Sequence, residues 1–275
     1  MLIATWNVNS IRSRIENVKE WLIANQIDVL CLQETKTEDK FFPTQVFSNL
    51  GYEVLVSGQK SYNGVAILSK YPINNVKIGF EQVLTNLDDL SDLVQQKRII
   101  SAEINDITVV NVYVPNGSSI TSDKFIYKQK WIKCLRQYIN EIKLNNMPMC
   151  LLGDFNIAPE DKDIHTPSNY INSIMASSME RKLLKDALGS ELEDVFRIFE
   201  PGEKNWSWWD YRNSAWERDN GWRIDHIYLT EDILSCSNSC WIDKEPRSRD
   251  KPSDHAPVIV DISWPASSDE NEFFL

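Results

Sequence analysis

Polar, ligand-bearing segments stand at the ends of the apolar runs throughout this chain, and that placement constrains the fold more than any other feature. Trp6-Asn7-Val8-Asn9, Leu32-Gln33-Glu34-Thr35-Lys36, Gly153-Asp154-Phe155-Asn156, Arg223-Ile224-Asp225-His226 and Ser253-Asp254-His255-Ala256-Pro257 each adjoin a short apolar stretch. Those stretches, such as Leu2-Ile3-Ala4-Thr5, Met149-Cys150-Leu151-Leu152 and Pro257-Val258-Ile259-Val260, have the length of buried strands. One Gly-Asp or Asp-His pair on its own marks a turn. A set running from Asn7 to Asp254 implies polar groups collected from the whole chain at one edge of a sheet core.

Such convergence favours one domain over residues 1–264, followed by an acidic tail at 265–275. With 275 residues, 42% of them hydrophobic, and ten Trp, the chain can bury a large core. No apolar run approaches the ~18 residues of a membrane span, and the sequence opens on a strand without a basic, apolar leader. Cys31 and Cys150 lie inside apolar runs, and Cys236 and Cys240 have no third soft ligand nearby. These features exclude a disulfide framework and a zinc site and lead to the expectation of a cytoplasmic monomer with no membrane contact.

Asn9 or Ser10 is expected to cap a helix reaching about Gln26, with Ile11, Ile15, Val18 and Leu22 on one face. Strands are expected at Asp28–Leu32, Tyr52–Val56, Gly64–Ser69, Ile99–Ile104, Ile107–Val114, Met149–Leu152, Trp206–Trp208, Arg223–Leu229 and Val258–Ile262. Asn105-Asp106 suits a hairpin turn. A second helix falls near Lys124–Asn145, and Ser177 with Glu180 forms a capping box for a third. Hairpins interspersed with a few helices imply an α/β fold: two packed, mainly antiparallel sheets flanked by helices, a four-layered sandwich.

The polar ends suggest chemistry. Glu34 supplies a hard oxygen ligand suited to Mg²⁺ or Mn²⁺, and its bland alternative is a surface pair with Lys36. Asn7 can orient a neighbouring carboxylate. Asp154 and Asn156, two apart on an extended segment, would project to one side, one to accept a proton from water and the other to donate to a phosphate oxygen. His255 stands beside Asp254, and Asp225 is a candidate to fix its tautomer. No nucleophile elbow and no Gly-rich phosphate loop occurs. Together these groups describe metal-assisted attack of water on a phosphodiester.

These segments, with Asn111-Val112-Tyr113-Val114-Pro115-Asn116-Gly117, Ser207-Trp208-Trp209-Asp210-Tyr211-Arg212 and Gly221-Trp222, resemble exonuclease III and the class II apurinic/apyrimidinic endonucleases, in the family's order and over residues 2 to about 262. The resemblance implies a deoxyribonuclease I-like fold, 3′ to 5′ exonuclease action and 3′-end processing on duplex DNA, and cleavage 5′ to abasic sites with Mg²⁺ or Mn²⁺. It also implies roles. Glu34 would be the main metal ligand, with Asn7, Asp154, Asn156 and His255 at or near the metal and Asp254 either at the metal or supporting His255. Asp154 would position or deprotonate water, Asn156 would hold the scissile phosphate, Tyr113 would contact that phosphate or aid the leaving group, and Asp225 would orient His255. Arg98, Asn116, Trp208, Arg212 and Trp222 would meet DNA.

Two departures from the family pattern stand out. Asn220 replaces an Arg common in exonuclease III members, and His165 lies where many relatives have a small residue, a place from which it could narrow access and favour 3′ ends. The net charge of −11 argues at first against a polyanionic partner. The bases nevertheless cluster at Arg12/Arg14, Lys97/Arg98, Lys124/Lys128/Lys130 and Arg247/Arg249/Lys251, so an acidic body with a basic face is expected. The rival readings are a small-molecule or lipid phosphatase of the same superfamily and a catalytically silent DNA-binding module.

Overall fold

The structure, a computed structural model, describes residues 1–84, 92–145 and 147–265. Side chains alternate across a strand, and most strands of this sequence are apolar at odd and even positions alike, so each sheet must be covered on both faces. Two six-stranded sheets result. The first runs β11 (Ser237–Ile242), β12 (Val258–Ile262), β1 (Leu2–Asn7), β2 (Val29–Gln33), β4 (Val65–Ser69) and β3 (Glu53–Ser57). The second runs β5 (Asn74–Ile78), β6 (Ile99–Ile104), β7 (Ile107–Tyr113), β8 (Met149–Asp154), β10 (Asp225–Leu229) and β9 (Glu193–Asp194).

Ile3, Cys31 and Ile67 of the first sheet meet Val109, Cys150 and Ile227 of the second between the layers. The neighbouring Ala4, Leu30 and Leu68 face outward onto Val18, Trp21 and Leu22 of α1 (Ile11–Asn25), close to the short α2 (Thr44–Ser48), which adds Phe47. On the other side Val110 and Leu151 face Trp131, Leu135 and Leu183 of α3 (Asp123–Lys143) and α4 (Ser178–Leu188). This is the four-layered arrangement expected. Both sheets are mainly antiparallel, with a parallel pair wherever a helix crosses over: β1 with β2 through α1, and β7 with β8 through α3.

Local chemistry accounts for most boundaries. Asn105 and Asp106 both adopt positive φ (49° and 61°), as a two-residue hairpin demands. Ser177 and Glu180 form the reciprocal capping box. Gly153 is required because a Cβ there would lie 1.9 Å from the Val112 carbonyl oxygen, so any side chain would push β8 off β7 immediately before Asp154.

Other expectations fail for identifiable reasons. Ser10 precedes α1 but makes no side-chain capping bond, and Asn9 is drawn away by Asp254 and Lys36. Trp206–Trp208 is no strand; Trp208 makes single bridges to Trp222 and His255, because the segment threads between two loops. Asn156 is not extended but left-handed, with φ 50°. Edge strands β5, β9 and β11 are short or polar and carry no alternation to reveal them. Asp88, Asp89 and residues 266–275 lie outside the described residues.

A buried ion network fixes the start of β10. Arg223 donates from Nε to Asp163 at 2.6 Å and from Nη2 to Asp194 at 2.7 Å, and Arg197 also pairs with Asp163. Burial alone would raise the Asp163 carboxyl, but Arg223 and Arg197 outweigh it and hold the pKa at about 2. A carboxylate depressed from 3.8 to about 2 gives stability that is present above pH ~4 and is lost as pH falls through about 2, roughly 2 kcal/mol in all. Asp163→Asn is therefore expected to cost at least about 2 kcal/mol in urea unfolding at pH 7, with the gap to the parent narrowing below pH ~4. A gap that stayed constant down to pH 2.5 would mean that charge is not what stabilises this corner.

Candidate active site

The C-terminal ends of β1, β2, β7 and β8 and the start of β10 deliver Asn7, Glu34, Tyr113, Asp154 and Asp225 to one place. Asn7 is fully buried and stands between the sheets. Its Nδ2 donates to Glu34 Oε1 at 3.0 Å and to Asp154 Oδ2 at 2.9 Å, so one amide fixes a carboxylate from each sheet. The Tyr113 hydroxyl donates to the same Glu34 oxygen at 2.8 Å, and Lys36 pairs with the other at 2.7 Å. Burial would raise the Glu34 pKa, but Lys36, Asn7 and Tyr113 together lower it. Burial, then Glu34, raises the Tyr113 pKa, so the phenol keeps its proton.

His255 approaches from the loop before β12. Its Nδ1 lies 2.8 Å from Asp225 Oδ2, and its Nε2 points to Asp154 at 3.9 Å. Asp225 is set in turn by Ser207, whose hydroxyl donates to Oδ2 at 2.6 Å while accepting the main-chain N–H of Ile224 and Asp225. Burial would lower the His255 pKa, yet the Asp225 and Asp154 carboxylates raise it well above the ordinary value. Burial lifts Asp154 to about 7, against the lowering effect of His255 and with a further push from Asp225 and Glu34. A carboxyl of that kind is poised to exchange a proton near neutrality.

Asn156 turns back on Asp154 through its left-handed backbone. Its N–H donates to Asp154 Oδ1 at 2.8 Å, its Nδ2 to Oδ2 at 3.1 Å, and Asn116 Nδ2 donates to its Oδ1 at 3.0 Å. Asp254 does not support His255 directly: its oxygens accept from Asn9 Nδ2 at 2.9 Å and Trp208 Nε1 at 3.0 Å. From the sequence Asn9 reads as a helix cap, Lys36 as a surface partner of Glu34 and Ser207 only as a motif member; the geometry gives each a defined partner in the site.

Buried oxygen donors with surplus negative charge fit a hard divalent cation. Asp154, Asp225 and His255 each offer a ligand atom within 4.8 Å of the others, and Asp225 Oδ1 is buried without a hydrogen-bond partner among the described residues. Glu34 with Asn7 and Asp154 offers an adjacent, all-oxygen alternative, the harder of the two. Glu34, Asn7, Asp154, Asn156 and His255 are thus gathered as expected, with Asp254 at the rim.

Two clefts flank these groups. One, of about 770 Å³, is lined by Arg98, Tyr113, Asn116, Tyr62 and Lys124; Arg98 stacks 4.5 Å over the Tyr113 ring. The other, of about 350 Å³, is walled by Trp208, Trp222, His165, Tyr170 and Arg212. The His165 ring packs edge-on against Tyr170 at 5.4 Å, its Nδ1 is buried without a partner among the described residues, and burial lowers its pKa. Trp222 is itself buried at 4% exposure, so it offers this cleft only an edge. The expected basic face is thinner than the sequence implies. Lys128 and Arg247 are buried, Arg247 between the rings of Tyr211 and Trp216, and Arg249 is engaged by Glu20 and Glu245. Arg212 is 85% exposed along its side chain.

Residues 4–255 match the model of the Endonuclease/Exonuclease/phosphatase family. Exodeoxyribonuclease III of Haemophilus influenzae is 33% identical, with 95% of this chain and 100% of that protein covered. DNA repair nuclease APEX1 of Danio rerio is 28% identical over 94% of this chain and 81% of its own. Among solved structures, a 3′ phosphatase from Neisseria bound to a product DNA hairpin has a TM-score of 0.90 at 37% identity, covering 96% and 100% of the two chains. An AP endonuclease from Archaeoglobus fulgidus gives 0.89 at 38%, covering 96% and 99%. The chain belongs to the exonuclease III and apurinic/apyrimidinic endonuclease family of DNA repair nucleases, with the deoxyribonuclease I-like fold expected.

Glu34→Ala removes the acceptor shared by Asn7, Tyr113 and Lys36 without opening the core. Folding stability is expected to stay within about 1 kcal/mol of the parent, while Mn²⁺ affinity, read by electron paramagnetic resonance, falls at least about tenfold. Parent-like Mn²⁺ affinity would move the cation to Asp154, Asp225 and His255.

Proposed function

We propose that this chain is a divalent-metal-dependent nuclease that trims and processes 3′ ends of duplex DNA and also cleaves 5′ to abasic sites. The observation that carries the reading is the Asn7 amide joining Glu34 to Asp154 beside the Asp225–His255 pair. The Neisseria 3′ phosphatase, the Haemophilus exodeoxyribonuclease III and the Archaeoglobus AP endonuclease support it, as does the DNA hairpin bound to the first of these.

Water is held and deprotonated at Asp154, whose Oδ2 is oriented by Asn7 and Asn156. Asn156 and Asn116, joined to each other beside Asp154, form the polar wall against which the scissile phosphate is held. His255, kept cationic by Asp225, stabilises the charge that builds on the phosphorane-like transition state. Tyr113, anchored on Glu34, contacts the phosphate or aids the leaving group. Glu34 with Asn7 and Asp154 would hold Mg²⁺ or Mn²⁺, which would supply neutralisation of phosphate charge. Duplex backbone lies across Arg98, Lys124 and Arg212, the bases left available at the two clefts.

The cleft lined by Trp208, Tyr170 and the edge of Trp222 offers apolar walls for a sugar without its base. His165 stands in it, so continuous backbone at an internal abasic site meets a ring that a free 3′ terminus avoids. The test is a labelled duplex with an abasic analogue set against an intact duplex with a recessed 3′ end. Mg²⁺-dependent cutting of both is expected, with the 3′ end faster; inertness on DNA together with hydrolysis of small phosphate esters would overturn the reading. His165→Gly is expected to raise the ratio of abasic cleavage to 3′ trimming at least about fivefold, the equivalent of ~1 kcal/mol of relieved crowding. An unchanged ratio makes His165 a bystander.

A further inference from the structure

Lys128 sits in the second turn of α3 with no exposed surface. An ammonium has three donors, and each finds an acceptor: the Asn116 carbonyl oxygen at 3.1 Å, the Asn156 carbonyl oxygen at 2.8 Å and Glu180 Oε1 at 2.5 Å. Glu180 is equally committed. It accepts the Met175 N–H at 3.0 Å on Oε1, and the Ser177 N–H and hydroxyl on Oε2, so the capping-box carboxylate of α4 doubles as the counter-ion.

Burying a charge pair in this way adds little to stability compared with an apolar pair of the same size. What the pair holds is more telling. Its two carbonyl partners belong to Asn116 and Asn156, whose side chains meet at 3.0 Å beside Asp154. Asn156 is left-handed at φ 50°, a conformation that asparagine tolerates but that must be held by its surroundings. That turn directs the carbonyl inward to Lys128 and the side-chain amide to Asp154. The Lys128 stem passes close beneath Gly117, where an added Cβ would lie 3.1 Å from its Cδ, so the loop bearing Asn116 rests on the same side chain.

We propose that Lys128 is a positioning residue of the nuclease site: from inside the protein its ammonium fixes the carbonyls of Asn116 and Asn156, and with them the Asn116–Asn156–Asp154 hydrogen-bond chain that faces the scissile phosphate. This rests on the reading of those amides as phosphate-facing groups. Glu180 supplies the counter-charge and ties the arrangement to α4. Lys128 touches no substrate.

The test compares Lys128→Met/Glu180→Gln, which removes both charges at nearly constant volume, with Glu180→Gln, which removes the counter-charge and leaves the lysine nitrogen to donate to the two carbonyls. The double variant is expected to keep a urea midpoint near the parent's, to lose at least about tenfold in kcat on a recessed duplex, and to change KM by less than about threefold. Glu180→Gln keeps kcat within about threefold. Lys128→Gln/Glu180→Gln, which restores an amide donor at this position, recovers part of the lost rate. Hydrogen exchange gives a readout independent of activity: the loop amides of residues 114–118 and 155–158 exchange faster in the double variant, while those of β8 do not. Parent-like kcat and parent-like exchange in the double variant overturn the proposal. A parent inert on DNA overturns the nuclease reading instead, and the exchange measurement still decides the role of Lys128.

Discussion

One amide holds this site together. Asn7 ends β1 of the first sheet and donates to Glu34 of that sheet and to Asp154 of the second. An asparagine cannot titrate, so the bridge persists whatever the protonation state of the two acids. Carboxylates this close would repel in a low-dielectric setting, and a neutral double donor between them lowers that conflict without cancelling the negative charge a cation needs. The packing of the two sheets through Ile3, Cys31, Cys150 and Ile227 sets the distance that the amide spans. The site therefore depends on the sandwich itself.

Around that bridge the acids differ in character. Glu34 is shared among Lys36, Tyr113 and Asn7, which lower its pKa; Asp154 is buried, beside other carboxylates, and its pKa is raised. Asp225 is committed to His255 and Ser207, and Asp254 to Asn9 and Trp208. Environments that push neighbouring acids apart divide ligand, base and orienting roles among residues of the same type. The same concentration of acid explains how a chain of net charge −11 can serve a polyanionic substrate: part of the negative charge lies inside the site, where bound metal offsets it, and a few bases remain at the clefts.

Much of this was legible in the sequence because each strand that reaches the site announces itself as an apolar run with a polar end. β1, β2, β7, β8, β10 and β12 have that form, and their motifs point Glu34, Asp154, Asp225 and His255 to one sheet edge. The edge strands did not, since β5 and β11 are half-exposed and polar. Neither did the tryptophan segment, where alternation of Trp206, Ser207 and Trp208 imitates a strand although the chain only touches Trp222 and His255 at single bridges. Lys128 and Arg247 illustrate a further limit. A lysine or arginine in a list of charges reads as surface, and only the structure reveals an ammonium turned inward to two carbonyls or a guanidinium between two rings.

The central claim is that His255, held by Asp225, acts on the transition state and not on DNA binding. The direct measurement is single-turnover cleavage of a duplex with a recessed 3′ end by His255→Ala, paired with the affinity of the same duplex in EDTA. The account predicts a chemical step slower by at least about a hundredfold with affinity changed by less than about threefold. A parent-like rate, or a loss of affinity matching the loss of rate, would contradict it.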